Sequence, residues 1–329
     1  MSPADILAAI PKLRALVAGD ICLDRWCRYD PRLTEPSRET GLDRIAVVNT
    51  ECTPGAGGTV ASNLAALGCG RVAVLGTTGD DGHGYELRAA LRQRGIDDSL
   101  LVTAPGQTFT YTKLINTYTE VEDLGRVDFV TFPPPRETED ELLRRLEAAA
   151  AEFDVILVSD QMETASGAVV TPRMREKLEL LALRRSGLLI WVDSRMHIEQ
   201  FRGVVLKPNE REAREACGRL GMDGPDYAAL RRVTAAPLMM VTHGGDGVTL
   251  ADEAGVERIP TEKVEHPVDI CGAGDSFSAG AALALRAGAA PREAALFGHL
   301  VASVTIMKPG TGTASPGEVL TAARGMGLA

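Results

Sequence analysis

Small residues and one aspartate stand together in the segment VDICGAGDSFSAGAALALRAG, residues 268–288. Gly272, Ala273 and Gly274 directly precede a run of residues that can form a helix. Their main-chain N–H groups would lie unhindered at the positive end of the helix dipole, an arrangement that binds a phosphate without a cationic side chain. The segment therefore predicts an anion-binding turn.

Asp275 follows this turn, so its carboxylate would face the same anion. A carboxylate beside a phosphate is electrostatically costly, and accepting a proton from an attacking hydroxyl is a function that would justify it. The alternative is that Asp275 only caps the helix and that the glycines only allow close packing. Capping alone would not require both glycines, so the pattern favours phosphoryl transfer with Asp275 as the general base.

Short apolar runs that stop at polar or Gly-rich turns predict the buried strands that would position this turn. These runs lie at 15–24, 71–81, 154–161, 188–195, 203–210 and 237–247. Helical patterns lie at 57–68, 85–95, 138–153 and 171–187. The third of these begins with a capping box made by Thr138 and Glu141. Alternation of this kind predicts a mostly parallel sheet covered on both faces, with ligands at the carboxyl ends of its strands.

Two segments break the alternation and predict a small β-layer inserted into the main domain. Residues 25–53 are polar and contain proline, and residues 107–132 alternate threonine with aromatic or aliphatic residues. Such alternation predicts half-exposed antiparallel strands. The layer would be a lid over a cleft, or else a decoration of the sheet edge, and residues 1–329 would form one domain.

Composition excludes several classes of protein. The formal net charge of −10 argues against nucleic acid and anionic membranes as partners. The six cysteines include no C-x-x-C pair, which leaves zinc and redox motifs unsupported. We find no signal peptide and no apolar run of membrane-spanning length, and therefore expect a cytoplasmic protein.

The segment DICGAGD (269–275) resembles the signature of the PfkB, or ribokinase-like, carbohydrate kinases. Three further segments agree with the order of motifs in that family: PGAGGTVASNLAALG (54–68), KPNERE (207–212) and VTHGGDGVTL (241–250). The resemblance covers residues 19–315. It implies a ribokinase-like three-layer α/β/α sandwich with a small β-sheet lid, and an ATP-dependent phosphotransferase that acts on a sugar hydroxyl.

The resemblance also implies the catalytic and metal-binding roles. Asp275 would be the general base, and the amides of the Gly272–Gly274 turn would form the anion hole. Asn209 and Glu212 would orient Mg²⁺ through water, because Mg²⁺ gives up its hydration reluctantly. Without the resemblance, Glu212 would be interpreted as part of a solvated helix face.

On the nucleotide side, the resemblance implies contacts with ATP. The residues implied are Thr242, Gly244, Gly247, Lys207, His299 and Gly310. His299 is equally consistent with a structural histidine on an apolar helix face. Gly310 belongs to the loop 307–315, which would close over the purine and, with Asp269 and the Cys271 carbonyl, could hold K⁺.

On the sugar side, the residues implied are Asp20, Asp24, Gly57, Gly58, Asn63, Lys113 and Asp160. Asp24 would accept hydrogen bonds from sugar hydroxyls, with Asp20 in support. The segments GDICLDRW and TFTYTKLI most resemble kinases of the heptose-phosphate type, in which Lys113, Arg126 and Arg25 could recognise a sugar phosphate. Ser194 and Arg195 replace the Pro-Lys expected in that type, which leaves the acceptor open.

Other functions fit the sequence less well. A Rossmann oxidoreductase would explain the alternation, but no segment completes G-x-G-x-x-G. A nucleoside kinase of the same fold and a non-catalytic sensor of sugar or nucleotide remain alternatives, although the retained Asp275, Asn209 and Glu212 count against the sensor. An open edge on the lid sheet predicts a homodimer.

Overall fold

The computed structural model describes residues 1–162 and 168–328, in which a large sheet lies between two layers of helices. The strands are β1 (Arg14–Gly19), β2 (Ile21–Tyr29), β3 (Glu35–Pro36), β4 (Asp43–Arg44), β5 (Val47–Ala56), β6 (Arg71–Leu75), β7 (Thr77–Thr78), β8 (Val102–Thr103), β9 (Thr110–Asn116), β10 (Val127–Phe129), β11 (Val155–Asp160), β12 (Leu189–Ser194), β13 (Val205–Leu206), β14 (Met239–Thr242), β15 (Val248–Ala251) and β16 (Val256–Ile259). The α-helices are α1 (Pro3–Ala9), α2 (Gly57–Ala66), α3 (Gly82–Gln93), α4 (Arg136–Ala149), α5 (Pro172–Arg184), α6 (Glu210–Arg219), α7 (Tyr227–Val233), α8 (Ala273–Arg286), α9 (Pro291–Thr305) and α10 (Pro316–Gly325).

The large sheet has the strand order β16-β15-β14-β13-β12-β11-β1-β6. Six neighbouring strands run parallel to one another, namely β6, β1, β11, β12, β13 and β14. Strand β15 is antiparallel to β14, and β16 is antiparallel to β15. Next to the edge strand β6, Val17 of β1 lies opposite both Leu157 and Val74. Apolar side chains on both faces are typical of parallel strands covered by helices. The prediction of a mostly parallel sheet between helical layers is therefore confirmed.

The two cores follow from the alternation of side chains along each strand. In β1, Ala15 and Val17 join the core under α1–α3 and α8–α10, whereas Leu16 and Ala18 join the core under α4–α7. The small residues of α8 serve close helix packing, as a Cβ on Gly280 would come 2.9 Å from Val301 Cγ2. This contact explains the unusually small residues that follow Asp275.

A second sheet, which we call the lid, has the order β10-β9-β2-β5. Strand β2 is antiparallel to β5, and β9 is antiparallel to β10. The central pair, β2 and β9, is parallel. The prediction of antiparallel strands is wrong for this pair, because alternation reveals which face of a strand is buried and not the direction of its neighbour.

Helix α4 begins earlier than the sequence predicts. Pro135 is its N-cap and Arg136 its first residue, so Thr138 lies inside the helix. Glu141, the other half of the predicted capping box, pairs with Arg144 and Arg145 instead. Among residues 1–162 and 168–328, no helix combines the length and apolar character that crossing a bilayer requires.

Candidate active site

Charged side chains collect where the parallel strands end. Asp20 follows β1, Asp160 ends β11, Asp193 is the second-last residue of β12 and Lys207 follows β13. All of them are buried. The Gly272–Gly274 turn reaches the same edge, because a Cβ on Gly274 would lie 3.3 Å from Lys207 Nζ. This is the edge at which open parallel sheets bind ligands.

The turn itself depends on Gly272, which is the N-cap of α8 and has φ of +78°. That left-handed conformation is one that glycine adopts without penalty. The Ala273 amide donates to the Ile270 carbonyl at 3.2 Å, so one of the three predicted anion-hole donors already has a partner. The amides of Gly274 and Asp275 lie in the first helical turn, where main-chain donors have no acceptor inside the helix. The main-chain donors left for an anion therefore lie closer to the helix than the sequence predicts.

Asp275 is half-buried beside this turn. Burial, together with the Asp193 carboxylate, raises the pKa of Asp275 to about 7. The cations of Lys207 and Arg195 oppose that rise. A carboxylate whose pKa lies near neutrality can accept a proton from a hydroxyl and release it again at physiological pH.

Lys207 is 4% exposed, and its Nζ lies 2.5 Å from Asp193 Oδ2. Burial would lower the pKa of Lys207, but the surrounding carboxylates, led by Asp193, outweigh burial and raise it. The side chain therefore stays cationic directly below Gly274. This geometry supports the prediction that Lys207 faces phosphate.

Asn209 and Glu212 form a reciprocal capping box at the start of α6. Asn209 Oδ1 accepts from the Glu212 amide at 2.9 Å, and Glu212 Oε2 accepts from the Asn209 amide at 2.7 Å. Glu212 is 7% exposed, and burial raises its pKa to about 7. The interpretation of Glu212 as part of a solvated helix face is therefore wrong.

Asn209 and Glu212 are the oxygen donors of the predicted Mg²⁺ site. In the part of the chain that the structure describes, no group of three or more Asp, Glu, His or Cys side chains is arranged to hold a metal ion directly. Mg²⁺ in phosphotransfer sites commonly keeps several waters and binds substrate phosphates. The oxygen donors of Asn209 and Glu212 thus fit a hydrated Mg²⁺ better than a chelated one.

The lid surface that faces Cys271, which we call its cleft-facing side, carries alternate residues of β2 and β9. Asp24 lies opposite Tyr111, and Trp26 lies opposite Lys113. Burial raises the pKa of Asp24 to about 6, while Lys113 lowers it. A Cβ on Gly55 would overlap the Asp24 carboxylate at 2.3 Å, so this glycine is required by close approach.

Two cations predicted to recognise a sugar phosphate lie on different faces of the lid. Arg126 stacks on the Tyr111 ring at 4.4 Å and so belongs to the cleft side. Arg25 points the other way, where its Nη1 lies 3.3 Å from His83 Nε2 and its Nε 3.5 Å from Glu86. Arg25 does not line the cleft, because neighbouring residues of a strand face opposite sides.

Several residues predicted on the sugar side have partners within the protein. Asp20 is 1% exposed and accepts main-chain hydrogen bonds from Gln161, Met162 and Val169 at 2.8–3.2 Å. Asn63 is fully buried and donates its amide to the Thr59 carbonyl. The Asp20 carboxylate and the Asn63 amide group thus hold the main chain in place beneath the surface.

The glycines and aspartate near these residues are also closely packed. A Cβ on Gly57 would lie 3.0 Å from the Asp20 carbonyl oxygen, and one on Gly58 would lie 2.6 Å from Pro54 Cβ. Asp160 Oδ2 accepts from Ser194 Oγ at 2.6 Å, whereas its Oδ1 is buried with no hydrogen-bond partner among the described residues. Asn63 Oδ1 is likewise buried with no hydrogen-bond partner, so among the described residues Asn63 and Asp160 each keep one unpaired oxygen.

On the nucleotide side, Thr242 and Asn209 are brought together by a parallel β-bridge. Gly244 and Gly247 have φ of +58° and +100°. A Cβ on Gly247 would lie 2.1 Å from the Ile259 carbonyl oxygen, so packing alone requires glycine there. The turn nevertheless lies beside Thr242, at the carboxyl end of β14.

His299 and Asp269 are each tied to a neighbouring loop. His299 Nε2 lies 3.2 Å from the Glu262 carbonyl oxygen, and burial lowers its pKa. Asp269 Oδ1 accepts from the Cys271 amide at 2.9 Å, and Oδ2 accepts from the Gly310 amide at 3.1 Å. Asp269 thus joins the segment that leads into the Gly272–Gly274 turn to the loop 307–315.

Sequence reasoning missed several residues of this cleft. Asp193 could have been found, since it lies in the last part of the predicted strand 188–195. Thr59 lies beside the Gly272–Gly274 turn, because a Cβ on Gly272 would lie 3.3 Å from its Cγ2. No sequence motif distinguishes Thr59 or Trp26, so both could be found only from the three-dimensional structure.

Comparisons with known proteins agree with this geometry. The family described as "pfkB family carbohydrate kinase" matches residues 21–317. The protein named "Bifunctional protein HldE" from Caulobacter sp. (strain K31) is 34% identical over 341 aligned residues, which cover 98% of this chain and 66% of that protein. The chain thus spans about two thirds of the length of the curated relatives it matches.

Solved structures share the fold. Phosphofructokinase-2 from Escherichia coli, in complex with potassium, has a TM-score of 0.71 at 18% identity and covers 96% of this chain and 99% of its own. Ribokinase from Arabidopsis thaliana, complexed with ribose and ATP, has a TM-score of 0.66 at 17% identity and covers 94% and 98%. The ribokinase-like fold is confirmed by these likenesses. With the family match over most of its length, this chain belongs to the pfkB family of carbohydrate kinases.

Proposed function

We propose that this chain transfers the γ-phosphoryl group of ATP to a hydroxyl of a heptose phosphate, with Asp275 as the general base. The observation that carries the proposal is the position of Asp275, beside Lys207 and the Gly272–Gly274 turn. The charge of Asp24, from the lid, also reaches Asp275 and raises its pKa. A hydroxyl held by Asp24 would therefore lie near both the base and the anion site.

The proposed transfer is a single displacement. Asp275 takes the proton of the attacking hydroxyl while the hydroxyl oxygen bonds to the γ-phosphorus and the bond to the bridging oxygen of ADP breaks. The first-turn amides of α8 and the Lys207 ammonium compensate the charge on the moving group. Mg²⁺, when bound, would neutralise the nucleotide phosphates, held through water by Asn209 and Glu212.

The cations around the cleft support a phosphorylated acceptor. Lys113 and Arg126 lie on the cleft-facing side of the lid. Arg195 stands where kinases of the heptose-phosphate type have lysine, and its charge lowers the pKa of Asp275. The resemblance of the segments GDICLDRW and TFTYTKLI to kinases of the heptose-phosphate type favours the same acceptor class.

A depression of about 580 Å³ beside α9 is the proposed purine site. It is lined by Val264, Ser303, Val304, Met307, Lys308, Gly317, Glu318, Thr321, Ala322 and Met326. His299 lies one helical turn before Ser303 on α9. K⁺ at Asp269 and the Cys271 carbonyl stays part of the proposal, and a rate that is equal in KCl and NaCl would remove it.

The deciding experiment is a screen for ATP consumption. Purified protein with Mg²⁺ and ATP is offered heptose 7-phosphate, hexose 6-phosphates, free hexoses and pentoses, and nucleosides, with phosphorus NMR to identify the ester formed. We expect the highest kcat/KM for heptose 7-phosphate. Turnover of nucleosides alone would identify a nucleoside kinase, and tight binding of ATP and sugar without turnover would identify a sensor.

We also propose that two copies associate through their lids. Large apolar side chains on the lid and its connections are exposed, namely Leu42, Val48, Val121, Val127 and Phe132. Strands β5 and β10 form the edges of the lid sheet, and unpaired edges readily accept a second copy. Sedimentation analysis should give a dimer that Val48→Glu converts to a monomer, whereas a monomeric wild-type protein would disprove the proposal.

A further inference from the structure

Five residues form a closed ring of contacts between the lid and the main domain. They are Trp26, Lys113, Cys271, Asp269 and Gly310. Lys113 Nζ lies 4.2 Å from the centre of the Trp26 ring and 4.0 Å from Cys271 Sγ. The lid is thereby joined to the residue that precedes the catalytic turn.

The other half of the ring leads to the nucleotide side. A Cβ on Gly310 would lie 3.6 Å from Trp26 Cζ2, so the indole edge faces this glycine across a space that a methyl group would fill. Gly310 is held by Asp269, whose other oxygen accepts from the Cys271 amide. An aromatic residue of the lid therefore borders the loop 307–315.

We infer that Trp26 is a positioning residue that couples acceptor binding to nucleotide binding. The inference rests on the proposed function, because it takes the lid as the acceptor side and the loop 307–315 as the nucleotide side. Closure of the lid on an acceptor brings the indole against Gly310 and so favours one position of the loop. The coupling must be reciprocal, since each ligand changes the affinity of the other by the same factor.

Two features make Trp26 suited to this role. The indole is rigid and offers both an edge for Gly310 and a face for the Lys113 ammonium. Lys113 also lowers the pKa of the Asp24 carboxylate, which is proposed to bind the acceptor. If an acceptor phosphate displaced Lys113, the position of the Trp26 indole would change with it. The indole would in turn shift the loop 307–315.

A fluorescence titration tests the contact without turnover. The chain has two tryptophans, and Trp191 is fully buried in the core. Addition of a non-hydrolysable ATP analogue with Mg²⁺ should change the emission of the wild-type protein, and the change should be absent from Trp26→Phe. If calorimetry detects the analogue but Trp26 emission does not change, the inference fails and the proposed function survives. If calorimetry detects no binding of the analogue, the proposed function itself fails.

A coupling measurement provides the second test. In the wild-type protein, saturating heptose 7-phosphate should tighten binding of the analogue about 5-fold or more, within the usual range for coupled sites. Trp26→Ala should reduce this factor to below about 2-fold, and Trp26→Phe should restore part of it. The matched control is Tyr118→Ala, which removes a lid aromatic that stacks on Arg32. Full coupling in Trp26→Ala, or an equal loss in Tyr118→Ala, would overturn the inference.

Discussion

Lys207 Nζ and Asp193 Oδ2 form a buried ion pair at 2.5 Å, directly below the turn that precedes Asp275. The two partners act on Asp275 in opposite directions, because Asp193 raises its pKa and Lys207 lowers it. The strands β12 and β13 supply one partner each at their carboxyl ends. The pKa of Asp275 therefore depends on side chains from two strands of the sheet as well as on its place in α8.

Removal of Lys207 and removal of Asp193 should shift the pH dependence of kcat/KM in opposite directions. Asp275 must be deprotonated to accept a proton, so kcat/KM should rise as the pH increases through about 7. In Lys207→Met the pKa of Asp275 rises, and the limb should move to higher pH by about one pH unit. In Asp193→Asn the pKa falls, and the limb should move to lower pH. If the substitutions only damaged the fold, the pH profiles of the two variants would shift in the same direction or would not shift.

Asp275→Asn should lower kcat by about 10²–10⁴-fold, the usual contribution of a positioned base. The affinity for ATP should remain within a few-fold, since the substitution leaves Lys207 and the helix amides in place. Steady-state rates and calorimetry on the same preparation measure the two quantities. Substantial turnover in this variant would contradict the assignment of the base.

The same substitution should stabilise the protein against unfolding, and more so at high pH. The pKa of Asp275 is about 7 when folded and near 3.8 when unfolded, so the folded state binds more protons between these values. Stability from this group is consequently lost as the pH rises from about 4 to 7. Asn cannot titrate, and its advantage over Asp should grow to about 1–3 kcal/mol at pH 8. Urea unfolding at pH 5 and pH 8 measures the difference, and an advantage that is equal at both pH values would argue against a buried carboxylate.

The sequence predicted the parts of the site that depend on local pattern. The turn 272–274, Asp275 and the strand ends carrying Lys207 and Thr242 all follow from residue type and periodicity. The engagement of Asp20 and Asn63 by the protein could not be predicted, because their partners lie far along the chain or on another turn of the same helix. Trp26 was missed for the same reason, since Gly310, which its indole faces, lies far along the chain.

Two substitutions at Glu212 should separate its structural role from its proposed role toward Mg²⁺. Glu212→Gln keeps an oxygen that can accept from the Asn209 amide, whereas Glu212→Ala removes the cap. We expect Ala to cost about 0.5–2 kcal/mol of stability and Gln clearly less. Both should raise the Mg²⁺ concentration required for half-maximal rate. If Glu212→Gln required no more Mg²⁺ than the wild-type protein, Glu212 would have only its structural role in the capping box.

Lys113→Met should weaken a phosphorylated acceptor more than a neutral one. Met keeps an aliphatic side chain against the Trp26 ring but removes the ammonium, so the loss should follow the charge of the acceptor. We expect KM for heptose 7-phosphate to rise about 10-fold or more, because a charge-assisted hydrogen bond to phosphate is lost. KM for the unphosphorylated heptose should change less than about 3-fold. The matched control is Arg25→Met, which removes a cation from the opposite face of the lid, beside His83 and Glu86. Equal losses for both acceptors in Lys113→Met, or a phosphate-specific loss in Arg25→Met, would contradict a phosphate site on the cleft-facing side.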